Sequence, residues 1–178
     1  MWAKVEDNEI TRIYAKPKPI TIGDTNHPAN IFELWSASEL EAIGIYEITI
    51  DYTNLKDKDY YSNTGITYVY ASGAVTGTYG TATAKPLADL KTKHKQIVNR
   101  EAYGALQDSD WLVIRATEGG TAVTSAWTTY RAAVRTKANS METQIDGAAN
   151  VDALAALYVY NSDDPPVRPL GEWPSKPE

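Results

Sequence analysis

The sequence predicts an α+β fold, and three observations carry that prediction. Residues 1–84 hold short runs of β-branched and aromatic residues punctuated by turn residues, whereas residues 87–147 carry apolar side chains at three- and four-residue steps. Between two such helical stretches, Gly119-Gly120 provides a break. At 178 residues the chain has room for one domain or two small ones. Texture divides it into three: a small β-rich unit with a short helix over 1–46, a Tyr-, Thr- and Gly-rich β-region over 47–86, and a helical hairpin with an extended Pro-rich tail over 87–178.

In the first region, Trp2 to Glu6 and Glu9 to Tyr14 read as two strands around Asp7-Asn8, residues that tolerate hairpin-turn conformations. Pro17 and Pro19 interrupt the ladder, Ile20-Thr21-Ile22 is a third strand, and Gly23-Asp24-Thr25-Asn26 a turn. Ser36-Ala37-Ser38-Glu39 has the spacing of a capping box, in which the Ser36 hydroxyl accepts from the Glu39 amide and the Glu39 carboxylate accepts from the Ser36 amide. Leu40 and Ile43 then share a helix face that stops at Gly44, a residue suited to the left-handed cap.

The second region holds Tyr52, Tyr60, Tyr61, Tyr68, Tyr70 and Tyr79, and from Tyr60 to Ala84 it carries no charge. Ile66 to Ala71 and Ala74 to Ala84 have strand composition with Ser72-Gly73 as the turn between them. Hydrophobic alternation is too weak to say which face is buried, so an exposed β-arm and a core sheet both stay open. An uncovered, uncharged edge is an aggregation hazard, which implies a cover.

In the third region, Leu87, Leu90, His94, Ile97, Val98, Glu101 and Ala105 mark one helix face, and Trp127, Tyr130, Val134, Ala138, Met141 and Ile145 a cleaner one that ends at Gly147. Asp152 is placed to cap a last short turn through Leu157, before Pro165, Pro166, Pro169 and Pro174 force an extended tail. The basic run Lys91-Thr92-Lys93-His94-Lys95 reads as a solvated helix face, with pairing to Asp or Glu elsewhere left open.

Composition narrows the function classes. With 17 Lys and Arg against 23 Asp and Glu, the net charge of −6 argues against sequence-independent binding to nucleic acid or to an anionic membrane. Early charges at Lys4, Glu6, Asp7 and Glu9 leave no apolar core for a signal peptide, so a soluble protein used in a cytoplasm is expected. Zero cysteine removes disulfides, thiol catalysis and thiolate metal sites. His27 and His94 are the only imidazoles, neither sits in a nucleophile constellation, and no G-x-S-x-G elbow is present. Gly73, Gly77 and Gly80 lack P-loop spacing, and Asp108-Ser109-Asp110 and Asp163-Asp164 lack the calcium-loop glycine and terminal Glu. The expectation is therefore no catalytic residue, no metal and no cofactor. A glycan hydrolase needs two carboxylates across a cleft, and nothing in the sequence selects a pair.

What stands out is aromatic: 12 Tyr and 5 Trp against one Phe, side chains with a polar handle on a large apolar body. Three Trp-centred knots surround the helical hairpin, at Asp110-Trp111, at Trp127 with Tyr130-Arg131, and at Trp173-Pro174. Trp127 and Tyr130 share a helix face, Arg131 is within reach of Asp108 or Asp110 for a forked ion pair, Trp111 is expected between the helices, and Trp173 is expected to fold the tail back.

The order L-x-x-S/T-D-W, then W-x-x-Y-R-x-x-[LV]-R, then a terminal W-P resembles the C-terminal domain of phage tail fibre assembly and tail assembly chaperone proteins. It falls on Leu106, Ser109, Asp110, Trp111, Trp127, Tyr130, Arg131, Val134, Arg135, Trp173 and Pro174. His27-Pro28-Ala29-Asn30-Ile31-Phe32 and the following Leu34-Trp35-Ser36 also look like the leading segment of such proteins. The chain departs from the pattern in Leu112 to Gly120, where family members carry a polar, Pro-containing loop, and in its longer second helix. The resemblance implies a non-enzymatic assembly chaperone for a phage tail fibre or other tail protein, acting in the host cytoplasm, with homo-oligomerisation open. The alternative it leaves is a fibre adaptor retained in the virion tail or baseplate. Expected partner contacts are Asp110, Trp111, Trp127, Tyr130, Arg131 and Trp173, together with Tyr68, Tyr70 and Tyr79 of the Tyr-rich region.

Overall fold

The structure is a computed structural model that describes residues 1–177. The chain is α+β and forms two compact units, Met1–Thr83 and the residues from Ala84 on.

The first unit is built on a five-stranded sheet. β1 (Trp2–Glu6) and β2 (Glu9–Tyr14) form the expected hairpin, with Asp7 at φ 51° and Asn8 at φ 64°, both in the left-handed region that a tight two-residue turn requires. β3 (Ile20–Ile22) pairs with β4 (Thr25–His27), so the expected four-residue turn shrinks to Gly23-Asp24. After α1 (Ile31–Leu34) comes α2 (Ala37–Ala42), whose capping box is complete: the Ser36 amide donates to Glu39 Oε2 at 2.8 Å and the Glu39 amide donates to Ser36 Oγ at 3.3 Å. Gly44, at φ 75°, presents its carbonyl to the Val5 amide at 2.8 Å, and a Cβ there would lie 2.8 Å from the Val5 oxygen.

β5 (Ile45–Asp51) runs through the middle of the sheet, in the order β2-β1-β5-β8-β7, antiparallel to β1 and parallel to β8 (Ala74–Tyr79). The expected division at residue 46 therefore falls inside a strand paired on both sides, and the Tyr-rich region is part of the same sheet. β7 (Ile66–Ala71) joins β8 through Ser72 and Gly73, both at positive φ. The short β6 (Tyr61–Ser62) and β9 (Thr83–Ala84) pair where the first unit ends. Although β2 and β7 are the outer strands, the sheet curls until their Cα atoms approach within 8 Å without forming a ladder.

Each face of the sheet has its own core. On one, Tyr14, Ile20 and Ile45 pack with Ile31, Phe32 and Leu40, and the Trp2 ring meets Phe32 at a tilt with centroids 4.8 Å apart. On the other, the concave face, Ala3, Val5, Ile48 and Val75 are buried with Ile50, Tyr46, Tyr68 and Tyr70 packed around them. Gly77 sits where a Cβ would fall within 3 Å of Ile50, Ile66 and Tyr68, so the missing side chain is the space that the Tyr68 ring crosses.

The second unit is an antiparallel helical hairpin with additions. α3 (Leu87–Gln107) buries Leu90, Val98 and Ala102 against Tyr130, Val134, Ala138, Met141 and Ile145 of α5 (Ser125–Gly147). The basic run finds the acidic partner its sequence left open: Lys91 donates to the Asp146 carbonyl at 2.8 Å and Lys95 pairs with the Asp146 carboxylate at 2.9 Å, placing cations at the negative end of α5. His94 is likewise half-buried, its ring 4.5 Å from that of Tyr158. α4 (Asp110–Thr117) lies between the two long helices in sequence, where no helix was expected. α6 (Val151–Ala156) is capped by Asn150, whose side-chain oxygen accepts from the Ala153 amide at 2.8 Å, rather than by Asp152. The tail then returns to bury Leu170. Among the described residues no helix is long and apolar enough to cross a membrane.

Candidate functional site

α3 ends at Gln107 and α4 begins at Asp110, a break that leaves backbone carbonyls of the last turn without intrahelical donors. Arg131 answers it from α5. Its Nη1 donates to the Leu106 carbonyl at 2.9 Å and to Ser109 Oγ at 2.6 Å, and its Nη2 donates to Asp110 Oδ1 at 2.8 Å. Ser109 is fully buried, and its hydroxyl donates to the same Leu106 carbonyl at 2.8 Å. A guanidinium is suited to this place because its planar fork reaches three acceptors at once and its charge faces a helix C-terminus. Of the two acids within expected reach, Asp110 takes the pair and Asp108 goes elsewhere, to Lys176 at 2.9 Å.

Those contacts hold α4 by its first turn, and its last turn is closed by Gly119-Gly120. The Gly119 amide donates to the Ala116 carbonyl and the Gly120 amide to the Arg115 carbonyl, with Gly119 at φ 86°, a Schellman cap. Between these anchors α4 is apolar, yet none of its residues is buried. Trp111 is 56% exposed, Ile114 58% and Val113 40%. The placement of Trp111 between the helices is thus corrected: its ring lies outside, under the Arg115 guanidinium at 4.7 Å. An open groove of about 260 Å³ runs between Val113 on α4 and Thr128, Arg131 and Arg135 on α5.

The other expected residues of this unit gather around the same helix ends. Trp127 meets Tyr130 edge-on at 5.8 Å, and the Tyr130 hydroxyl donates to the Ala105 carbonyl at 3.2 Å. Trp173 folds the tail back, its Nε1 donating to Glu101 Oε2 at 2.9 Å. Lys176 then lies 5.7 Å over the Trp127 ring while paired with Asp108, whose hydrogen bond pushes the Lys176 ammonium above its ordinary value. Asp110, Trp127, Tyr130, Arg131 and Trp173 therefore form one polar and aromatic seam, and Trp111 alone projects from it. Sequence reasoning placed Ser109 in the motif and Glu101 on a helix face without giving either a contact role, and it did not single out Lys176.

Tyr68, Tyr70 and Tyr79 belong to the first unit and are half-buried. The Tyr70 hydroxyl donates to the Tyr46 hydroxyl at 3.1 Å with ring centroids 4.9 Å apart, a contact that raises the Tyr46 phenol above its usual range. Tyr79 stacks at 5.9 Å on Tyr52, and its carbonyl accepts from the Asn54 amide group at 2.9 Å. Tyr68 and Tyr70 thus pack the concave sheet face instead of displaying rings to a partner, and the outward positions of β7 are Thr67, Val69 and Ala71. Among the described residues no three His, Asp or Glu side chains come together as a metal site. Compared with known proteins, the chain matches no family model, no curated protein and no solved structure.

Proposed function

We propose that the chain is a non-enzymatic assembly chaperone for a phage tail fibre, holding an extended or β-rich segment of the fibre until it trimerises or docks. The observation that carries the reading is α4, an apolar helix with no buried side chain whose position is fixed by polar anchors at both ends. The inner residues Leu112 and Ala116 are only half-buried, and on the outer face Trp111 with Ile114 gives a large contact area at low conformational cost. Such work needs contact area and reversible binding without bond chemistry.

Coexpression with the C-terminal part of the partner fibre tests the proposal. Recovery of the fibre in a complex with this chain, and loss of soluble fibre trimer when the chain is omitted, are the expected results. Unchanged fibre solubility and trimer yield without it would sink the reading. Mass spectrometry of purified particles separates release from retention: stoichiometric copies in the tail would make the chain a structural adaptor instead.

A further inference from the structure

The β1–β2 hairpin sets two cations directly against each other, Lys4 opposite Arg12 in the antiparallel register. Like charges in that position destabilise a strand pair, and the chain as a whole is acidic, so the arrangement calls for an anion. Lys18, from the segment after β2, joins them around a pocket of about 360 Å³ whose floor includes the buried Tyr14 and Ile20. The Tyr14 ring orders two of the three cations, with the Arg12 guanidinium 5.6 Å and the Lys18 ammonium 5.2 Å from its centroid. Among the described residues none that lines this pocket is acidic, and neither Arg12 nor Lys18 has an ion-pair partner. Lys4 alone is paired, with Glu6 at 2.7 Å. The lining threonine hydroxyls are committed, Thr11 donating to the Lys4 carbonyl and Thr21 to the Asn26 side chain, so the charge of the site comes from the cations.

We infer that this pocket is a binding site for a phosphoryl group, as free phosphate or as a small phosphate monoester. Three cations less the Glu6 charge leave two positive charges, which match the roughly two negative charges of a phosphate monoester near pH 7. The Arg12 fork suits two of its oxygens and the Lys18 ammonium a third. A monocarboxylate would leave one charge unbalanced. The site lies wholly within the first unit and shares no residue with α4, so each proposal fails or survives without the other.

The test is titration calorimetry and thermal unfolding of the full chain at fixed ionic strength with inorganic phosphate, glycerol phosphate and succinate. Saturable binding and a rise in Tm are expected with phosphate or with the ester; binding of the ester alone identifies an organic phosphate, and binding of both the phosphoryl group itself. Arg12→Gln and Lys18→Gln, each on an exposed side chain, weaken that binding at least about tenfold. Arg12→Gln also leaves the unliganded Tm unchanged or higher, because it relieves the cross-strand repulsion. Lys93→Gln, an exposed cation in the other unit, leaves binding unchanged. The inference is overturned if neither phosphate binds saturably, if both Gln variants bind as the parent does, or if succinate binds as well as phosphate.

Discussion

Arg131 on α5 and Asp110 at the head of α4 meet through a single 2.8 Å contact, and the guanidinium side of it is nearly buried while the carboxylate is 47% exposed. That asymmetry decides what each residue is worth. Arg131 keeps two further acceptors, Ser109 Oγ and the Leu106 carbonyl, whereas Asp110 depends on Arg131 and on water. The pair positions a helix whose inner apolar residues, Leu112 and Ala116, are only half-buried.

Replacing Arg131 by Met keeps the stem and removes the fork, leaving Ser109 and the end of α3 short of a donor. A loss of about 2–4 kcal/mol is expected in urea unfolding, with faster amide exchange across α4. Asp110→Asn, made at a half-exposed carboxylate, costs about 1 kcal/mol or less. Equal losses for the two would contradict the division of roles.

Gly77→Ala places a methyl within 3 Å of Ile50, Ile66 and Tyr68, all in the neighbouring strands, with Ile50 and Tyr68 directly opposite Gly77 in the ladder. Overpacking of this kind costs about 1–3 kcal/mol. Pairing it with Tyr68→Leu, which vacates the crossing ring, recovers part of that loss, and a double-mutant cycle measures the coupling.

The capping box makes α2 sensitive to acid. Hydrogen bonds from Ser36 hold the Glu39 carboxyl below its usual range, so the folded state binds that proton less tightly than the unfolded chain. Its stabilising contribution is present above the ordinary carboxylate pKa and disappears as pH falls through the folded value. Glu39→Gln therefore flattens the stability profile between about pH 5 and pH 3, read as Tm against pH, and leaves the slope at neutral pH unchanged.

Trp173→Phe removes only the indole donor to Glu101 and keeps an aromatic ring in the tail. A loss of about 0.5–1.5 kcal/mol and earlier cleavage of the tail in limited proteolysis are expected. Proteolysis unchanged from the parent would show that Leu170 and Lys176 hold the tail without it.

Local signals survived translation into structure best. The Asp7-Asn8 hairpin, the Ser36–Glu39 box, the Ser72-Gly73 turn and the Trp127-to-Ile145 stripe all involve residues within a few positions of one another, where chemistry at fixed spacing dictates geometry. What stayed hidden was set by distant partners. The parallel pairing of β5 with β8 joins residues 48–51 to 75–78 and merges two regions that differ in composition but share one sheet. α4 was hidden for another reason: Trp111 to Ile114 is continuously apolar, so it has no polar face from which a helical period can be read. The ion pair was legible as Arg131 with Asp108 or Asp110, and only packing chose between them.

The most direct test of α4 as a client-binding face uses Trp111→Ala with Ile114→Glu in the full chain, coexpressed with the C-terminal part of the partner fibre. Both side chains are exposed and neither enters the core, so stability is expected to stay within about 0.5 kcal/mol of the parent's. The predicted result is a folded protein that no longer recovers the fibre and no longer raises its soluble trimer yield. Full recovery of the fibre by the folded double variant would contradict the proposal that α4 is the surface that binds it.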